Sequence, residues 1–409
     1  MRSSIILSPF LLLLATLEST LAAPTPASND VGALADPHEE YIVLMAENEK
    51  RPWSEIFSSM GHNQTETGAK TFGHQIRAFT MKMPSSGVSA MSALDNVAIV
   101  AKNYRRTTAV MPTAIKPWDM PAGAGFSMRK LKRQATALVE QSSAPWNLAR
   151  IASSQAVEVS QGQSATDLAT HTAGTIGSLT FGVAKNVNIF GLKVLDTGGG
   201  SDSAIAAGVD AVITQHNQRK GQPGFMGSVM SMSLGGPAGS LVITDIMRRA
   251  TDAGIHVSVA AGNENTDACS SEPGRLSQQI PIISVGATDI NDARAGFSNF
   301  GRCVDIHAPG VAVVSTFNTG PRAVMSLDGT SMACPAVTGV IADELAKNQN
   351  LKLDPAGMKK LILSKALKGV IRGVSKMPQE GMILLNTGGN GGAGPGLPIN
   401  GTLPPRFRF

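Results

Sequence analysis

The chain has 409 residues, 42% hydrophobic and 16% charged, enough for one large folded domain and a smaller one. Its 43 glycines and 23 prolines, with only 4% aromatic residues, are typical of a compact α/β protein and argue against a disordered chain. The net charge of +5 comes from scattered basic residues, apart from Arg105-Arg106 and the cluster at 129–133. No basic stripe with interleaved aromatic residues occurs, which argues against nucleic acid as a partner.

The N-terminal segment, residues 1–22, is predicted to be a secretory signal peptide. Arg2 precedes an apolar run from Ile5 to Leu14, and Thr20-Leu21-Ala22 offers small residues where a signal peptidase cleaves. No other apolar run is long enough to span a bilayer. We therefore expect a secreted monomer without a membrane span, with delivery to the vacuole as the alternative.

Residues 41–108 predict a small α+β unit, because strand-like and helix-like runs alternate there. The predicted elements are a strand at 41–45, a helix at 53–60, a strand at 76–83, a helix at 89–94 and a strand at 97–100. Residues 109–143 contain Pro, Gly and basic residues without periodicity, and are predicted to be a linker.

From residue 144 to 386 the pattern predicts a doubly covered parallel sheet, because buried strands alternate with helices. The predicted strands are 187–194, 228–234, 255–260 and 282–285, and the predicted helices are 203–217, 241–253 and 330–346. The Gly- and Pro-rich tail at 387–409 is predicted to be disordered.

Three cysteines are present, Cys269, Cys303 and Cys334. An oxidising compartment predicts one disulfide and one remaining thiol. Cys334 lies in a stretch expected to be buried, so a Cys269–Cys303 pair is favoured.

The segment Gly329 to Pro335, with sequence GTSMACP, is the strongest chemical signal. It predicts Ser331 at the N-terminus of a helix, where unpaired backbone N–H groups and the positive end of the dipole stabilise an attacking oxygen. Taken alone, the same letters also fit an ordinary Ser cap.

Two upstream segments add to this signal. A buried strand ends in Ala261-Gly262-Asn263, where the Asn263 amide can donate to a tetrahedral oxyanion, although alone it also fits a turn. Before it, Ser233-Leu234-Gly235-Gly236 ends a strand with two glycines, a pattern suited to pairing with an extended peptide.

These three segments, in this order and spacing, resemble the subtilisin-like serine proteases (peptidase S8), and within them the fungal proteinase K and cerevisin branch. The resemblance implies that Ser331 is the nucleophile and Asn263 the oxyanion donor. It also implies that Ser233, Leu234, Gly235, Gly236, Ala261 and Gly262 line a cleft for protein or peptide substrates. Residues 41–108 are similar to the family's inhibitory propeptide (inhibitor I9), and Ala144-Pro145-Trp146 looks like the start of its mature enzymes.

The resemblance fails at the catalytic base and its orienting acid. The family carries Asp-Ser/Thr-Gly after an early strand, followed by His-Gly-Thr-His-Cys-Ala-Gly. Aligned on Ala-Gly-Thr, this chain has Leu168 at the catalytic His position, while His171 matches the second, non-catalytic His. The Asp strand should precede this block, where only residues 151–167 are present, so a core strand segment is predicted to be missing.

Asp196-Thr197-Gly198 has the letters of the Asp motif, but it follows the His block, where the family has an ordinary turn. His171 lies about one helical turn from Leu168, beyond the reach that a base of Ser331 requires. We therefore expect a turn and a structural His.

Two hypotheses remain open. The chain is a subtilisin-like endopeptidase that lacks a segment, through a skipped exon or a faulty gene model, or it is a pseudo-protease that binds peptides. In both, the chain as written is expected to be inactive. No cofactor is predicted; structural calcium is compatible with the resemblance, but no ligands are assigned.

Overall fold

A computed structural model of the chain describes residues 39–108, 168–196, 199–318, 323–372 and 382–387. The predicted signal peptide, the whole predicted linker at 109–143, the junction at 151–167 and almost the whole C-terminal tail lie outside the described residues. Within these ranges no helix combines the length and hydrophobicity needed to cross a bilayer.

Residues 39–102 form an antiparallel sheet with helices on one face. The sheet order is β2-β3-β1-β4. Its elements are β1 Glu39–Met45, α1 Trp53–Ser59, α2 Gln64–Thr67, β2 Lys70–Phe72, β3 Ala78–Met83, α3 Ser85–Ser92 and β4 Val97–Lys102. The predicted strands and helices of this unit are confirmed, although their first and last residues differ from those predicted. Helix α2 and strand β2 were not predicted.

Alternation along β1 explains how this unit packs on both faces. Tyr41, Val43 and Met45 join the unit's own core with Phe57 and Phe79. Side chains of successive strand residues point to opposite faces. Ile42 and Leu44 accordingly join a different core, shared with helices of the rest of the chain.

The next strand, β5 Arg105–Thr108, leaves this unit and enters a second sheet. The remaining elements are α4 Leu168–Gly177, β6 Gly200–Ser201, α5 Asp202–Arg219, β7 Val229–Met232, β8 Leu234–Pro237, α6 Leu241–Asp252, β9 His256–Ala260, β10 Ser271–Glu272, β11 Ile282–Thr288, β12 Ile306–Pro309, β13 Val313–Thr316, β14 Val324–Leu327, α7 Thr330–Lys347, α8 Pro355–Lys365, β15 Leu367–Lys368 and β16 Ile383–Leu384.

The main sheet has the order β15-β16-β12-β11-β9-β7, with β7, β9, β11, β12 and β16 parallel. Helices cover both faces. Val257 and Val259 of β9 belong to one core with α5 and α6, whereas Ala260 belongs to the other with α7 and α8. The predicted α/β class, with a parallel sheet between helices, is thereby confirmed.

The strand predicted at 187–194 is wrong. Residues 187–195 form no strand, and Ile189, Phe190 and Leu192 are 43%, 71% and 49% exposed. A strand requires hydrogen-bonded neighbours to satisfy its backbone. In the part of the chain that the structure describes, β7 ends the main sheet and this segment pairs with no strand.

Asp210 of α5 connects the N-terminal unit to the main domain. Its Oδ2 accepts from the backbone N–H of His74 at 2.9 Å, and its Oδ1 accepts from those of Gln75 and Ile76 at 2.6 Å. The carboxylate is 4% exposed. One buried anion thus satisfies three backbone donors in the turn before β3.

We expect Asp210→Ala to destabilise this contact by about 2 kcal/mol, because backbone donors lose their acceptor. Hydrogen exchange at the amides of residues 74–76 should accelerate in the intact chain. In Asp210→Asn, which keeps one acceptor oxygen, the exchange rates of these amides should lie between those of the wild type and of Asp210→Ala. Asp252→Ala, at an exposed position of α6, is the matched control, and equal exchange in Asp210→Ala and this control would contradict the prediction.

Candidate active site

Ser331 lies in the first turn of α7 and is fully buried. Its Oγ donates to the carbonyl of Ser233 at 3.2 Å, and the Ser233 hydroxyl donates to the carbonyl of Ser331 at 2.9 Å. Pro335, four residues along the helix, has no N–H to bind that carbonyl. The helix therefore leaves the Ser331 carbonyl available to hold Ser233.

Asn263 stands beside this helix start. Its Oδ1 accepts from the backbone N–H and from the hydroxyl of Thr330, both at 2.9 Å. Its Nδ2 is buried and has no hydrogen-bond partner among the described residues. An unpaired buried amide is costly. The arrangement leaves one donor ready for an oxygen that arrives next to Ser331.

The loop that carries Asn263 is held by Asn299, to which the sequence analysis gave no role. Asn299 Nδ2 donates to the carbonyl of Ala261 at 2.9 Å and to Glu264 at 2.6 Å. Its Oδ1 accepts from the backbone N–H groups of Glu264 and Thr266 at 3.1 and 2.9 Å. Gly262, with φ of 105°, turns the chain between these contacts.

The predicted cleft strand is already paired. Thr107 lies opposite Gly235 and Thr108 opposite Leu234, while β8 pairs with β10 on its other edge. On the far side of β5, Arg106 lies opposite Gly200 of β6. The chain's own residues 105–108 therefore lie between β8 and β6, beside the predicted cleft residues, and this contact was not predicted from the sequence.

No acid–base pair accompanies Ser331 in the described residues. Helix α4 begins at Leu168, which has no proton-accepting atom. His171 is fully buried, and its Nε2 donates to the carbonyls of Val313 at 2.9 Å and Met325 at 3.2 Å. Its contacts are to the β13–β14 hairpin and not to Ser331, as expected of a structural His.

Asp196 also behaves as expected of a turn residue. It exchanges backbone hydrogen bonds with Gly199 and forms an exposed ion pair with Lys193 at 3.1 Å. Its exposed carboxylate differs from the acid of a catalytic triad, which is buried and hydrogen-bonded to the imidazole that it orients.

The cysteine prediction is confirmed: Cys269 and Cys303 form a disulfide, and Cys334 is a buried thiol. Burial raises the pKa of Cys334, which keeps this thiol neutral. In the described ranges no group of three or more His, Cys, Asp or Glu side chains is placed to hold a metal ion.

A buried serine at a helix start, beside an asparagine amide that has no partner among the described residues, fits the class of serine peptidases. The subtilase family model, peptidase S8, matches residues 151–391. That span covers more than half of the chain, which therefore belongs to the subtilase family.

Known relatives and solved structures share this family. An extracellular serine proteinase of Thermus sp. is 46% identical over 174 residues, covering 42% of this chain and 40% of that protein. Proteinase T of Parengyodontium album is 42% identical over 220 residues, covering 54% and 70%. A cold-adapted subtilisin-like serine proteinase has a TM-score of 0.49 at 30% identity, covering 60% of this chain and 98% of that structure.

The matched part is short relative to several of these proteins. The chain spans 40% of the Thermus relative, 49% of a Rhodotorula mucilaginosa subtilisin-like serine protease and 46% of a Penicillium rubens one. It thus spans less than half the length of these three relatives.

The burial of His171 makes the fold sensitive to acid. Burial lowers the pKa of His171 from 6.5 to about 4. The unfolded chain therefore binds a proton that the folded chain does not as the pH falls from 6.5 towards 4, so stability falls over this window. The shift corresponds to roughly 3 kcal/mol.

We expect His171→Gln, which keeps an N–H donor but does not titrate, to flatten the fall in unfolding free energy between pH 7 and pH 4. Urea unfolding at both pH values measures this. His256, whose pKa burial also lowers to about 4, titrates in both chains and cancels from the comparison. His62→Gln, at an exposed site, is the control; a wild-type slope in His171→Gln would refute the assignment.

Proposed function

We propose that this chain is a form of a subtilisin-like serine endopeptidase, of the fungal proteinase K and cerevisin branch, that does not hydrolyse peptides as written. The alternative is a pseudo-protease that acts as a peptide-binding or regulatory protein. Ser331 would be the acylation nucleophile and Asn263 the oxyanion donor. The observation that carries the proposal is the hydrogen bond from Ser331 Oγ to a backbone carbonyl. A carbonyl cannot take the hydroxyl proton, so the Ser331 hydroxyl has no base to activate it among the described residues.

The cleft would bind an extended peptide through Ser233, Leu234, Gly235 and Gly236, with Ala261 and Gly262 beside the reacting carbonyl. Backbone pairing with a strand gives affinity without strong sequence demands. The pairing of β8 with residues 107–108 supports this role, because it is the geometry that a bound peptide would adopt.

Residues 41–108 would act as an inhibitory propeptide of the I9 type. Three contacts support this: the apolar face of β1, the Asp210 carboxylate and the strand β5 in the cleft. Since self-cleavage needs a complete triad, the chain as written would retain the unit, and the domain from residue 144 would remain covered. Segment 109–143 would be the linker cut in an active form.

Secretion is proposed from the predicted signal peptide at 1–22. The Cys269–Cys303 disulfide supports passage through an oxidising compartment. A relative is named as an extracellular serine proteinase. Delivery to the vacuole by the same route is the alternative.

The purified chain should show no measurable peptide hydrolysis, and Ser331 should resist fluorophosphonate labelling. Such reagents need a hydroxyl activated by an adjacent base. Subtilisin, in which triad loss is measured, loses about 10⁶ in turnover without its Ser or His, and roughly 10³ to 10⁴ over water remains.

Labelling of the folded chain, compared with Ser331→Ala, is the decisive measurement. Leu168→His should recover little, because its imidazole would lack an orienting carboxylate, a loss of about 10⁴ in the triad template. Labelling at Ser331 that disappears in Ser331→Ala would show that another residue acts as base, with His171 the first to test.

We further expect the transcript of an active form to insert a segment with Asp-Thr-Gly and His-Gly-Thr-His between Ser154 and Thr170. The exposed apolar residues Ile189, Phe190 and Leu192 support this, since an added strand would cover them. Full-length cDNA sequencing tests it. If every growth condition yields only the written junction, the chain is a pseudo-protease whose role is peptide binding.

A further inference from the structure

Arg106 is the largest fully buried side chain among the described residues, and it belongs to the strand that fills the cleft. Its neighbours on β5, Arg105, Thr107 and Thr108, are exposed. A buried arginine is rare unless its charge is paired. Of the four residues in this strand, the surrounding protein therefore encloses only one side chain.

The guanidinium of Arg106 is bound on three sides. Its Nε donates to Asp202 Oδ1 at 2.6 Å and its Nη2 to Asp202 Oδ2 at 3.2 Å, a two-point contact. Its Nη1 donates to the carbonyl of Pro237 at 2.6 Å, and Glu272 lies 3.6 Å from Nη2. These acceptors fit the planar guanidinium of arginine, which donates two parallel hydrogen bonds to one carboxylate. The ammonium group of lysine cannot make the same two-point contact.

The two carboxylates are oriented by groups other than Arg106. Ser240 donates its hydroxyl to Asp202 at 2.6 Å and its backbone N–H to Glu272 at 2.9 Å. Arg275 donates to Glu272 at 2.7 Å. The binding groups are therefore held in place by the main domain itself, which is how a preorganised recognition site is built.

Charge balance requires a cation in this position. Asp202 and Glu272 are fully buried, and among the described residues their ion pairs are with Arg106 and Arg275. Without Arg106 the cluster carries one uncompensated negative charge. An uncharged side chain enclosed here would leave a buried carboxylate unpaired, which is strongly unfavourable.

The shape of the site also favours the long side chain of Arg106. A Cβ on Gly236 would lie 2.8 Å from Cδ and 3.0 Å from Nη1 of Arg106. At neighbouring Gly235 an added Cβ would meet only ordinary contacts, at 3.4 Å and beyond. The absence of a side chain at position 236 thus opens the space through which the arginine stem passes.

We propose that Asp202, Glu272, Ser240, Gly236 and the Pro237 carbonyl form a guanidinium subsite, so that the cleft selects extended peptides by one arginine. In the register of β5, this arginine lies opposite Gly200, and the next two peptide residues lie opposite Gly235 and Leu234. The following residue continues towards Ser233 and Ser331. The inference rests on the proposed function only in that the cleft binds a peptide strand.

Arg106 then acts as an intramolecular competitor. A tethered strand has an effective concentration of about millimolar, so a free peptide must outcompete it. Truncating one partner of a buried ion pair weakens binding about 30-fold, the equivalent of roughly 2 kcal/mol. Arg106→Ala should therefore free the cleft for a peptide that still carries the arginine.

The probe is a labelled peptide, acetyl-Tyr-Arg-Arg-Thr-Thr-amide, titrated against the full-length chain by fluorescence anisotropy. We expect it to bind the Arg106→Ala chain at least 30-fold more tightly than the wild type. Replacing its second arginine by lysine or leucine should remove this gain, whereas replacing its first should change binding less than about threefold, since that position is exposed. In the Arg106→Ala background, Gly236→Ala should weaken binding, whereas Gly221→Ala, where an added Cβ meets no atom within 4 Å and which lies outside the cleft, should not.

Two results would overturn the proposal differently. If all peptides bind the Arg106→Ala chain equally, the cleft takes peptides but has no guanidinium subsite. If none binds the folded chain at 1 mM, roughly the effective concentration of the tethered strand, both the subsite and the proposed cleft fail. Should Arg106→Ala not fold, Arg106→Lys replaces it: its melting temperature should fall below that of Arg105→Lys, and equal values would reject the requirement for a guanidinium.

Discussion

The contact between Asn263 and Thr330 is the constraint on which the site depends. It joins the loop after β9 to the first turn of α7, the most buried helix described. Because the helix is enclosed by the sheet and by α4, its start cannot shift without moving the core. Ser331 is consequently fixed against Ser233, and the Nδ2 of Asn263 is left without a hydrogen-bond partner among the described residues. The hydroxyl of Ser331 has a backbone carbonyl, and no base of the described residues, as its acceptor.

Local patterns were sufficient to predict most of the described helices and three strands of the main sheet, β7, β9 and β11. Helix α6 shows clear apolar periodicity, and α7 begins at Thr330 as the GTSMACP segment indicates. The predicted strand at 228–234 is instead divided between β7 and β8, because Ser233 turns towards Ser331. The strand at 187–194 failed for a non-local reason. Apolar letters show that a strand could form, but not whether a partner strand is present to pair with it.

The cleft contents could not be read from the sequence for a related reason. Arg105-Arg106 reads as an exposed basic pair, and one of the two is exposed. Only the fold brings Arg106 to Asp202 and Glu272, which lie far along the chain. Likewise, the hydrogen bonds by which Asn299 holds the Asn263 loop are long-range contacts that local spacing does not reveal. Sequence motifs were enough to predict the roles of Ser331 and Asn263. The position of β5 beside β8 depends on contacts between residues far apart in the chain.

Helix α5 explains why the N-terminal unit occupies one orientation. Asp202 and Asp210 are about two helical turns apart and therefore share a face. One carboxylate holds the Arg106 side chain and the other holds backbone N–H groups before β3. The apolar contact through Ile42 and Leu44 supplies non-directional affinity between the same surfaces. Buried carboxylates add direction, because each tolerates only a matching donor. A unit shifted by one residue would move Arg106 away from Asp202 and the amides of residues 74–76 away from Asp210. The two carboxylates therefore favour the register that places β5 between β8 and β6.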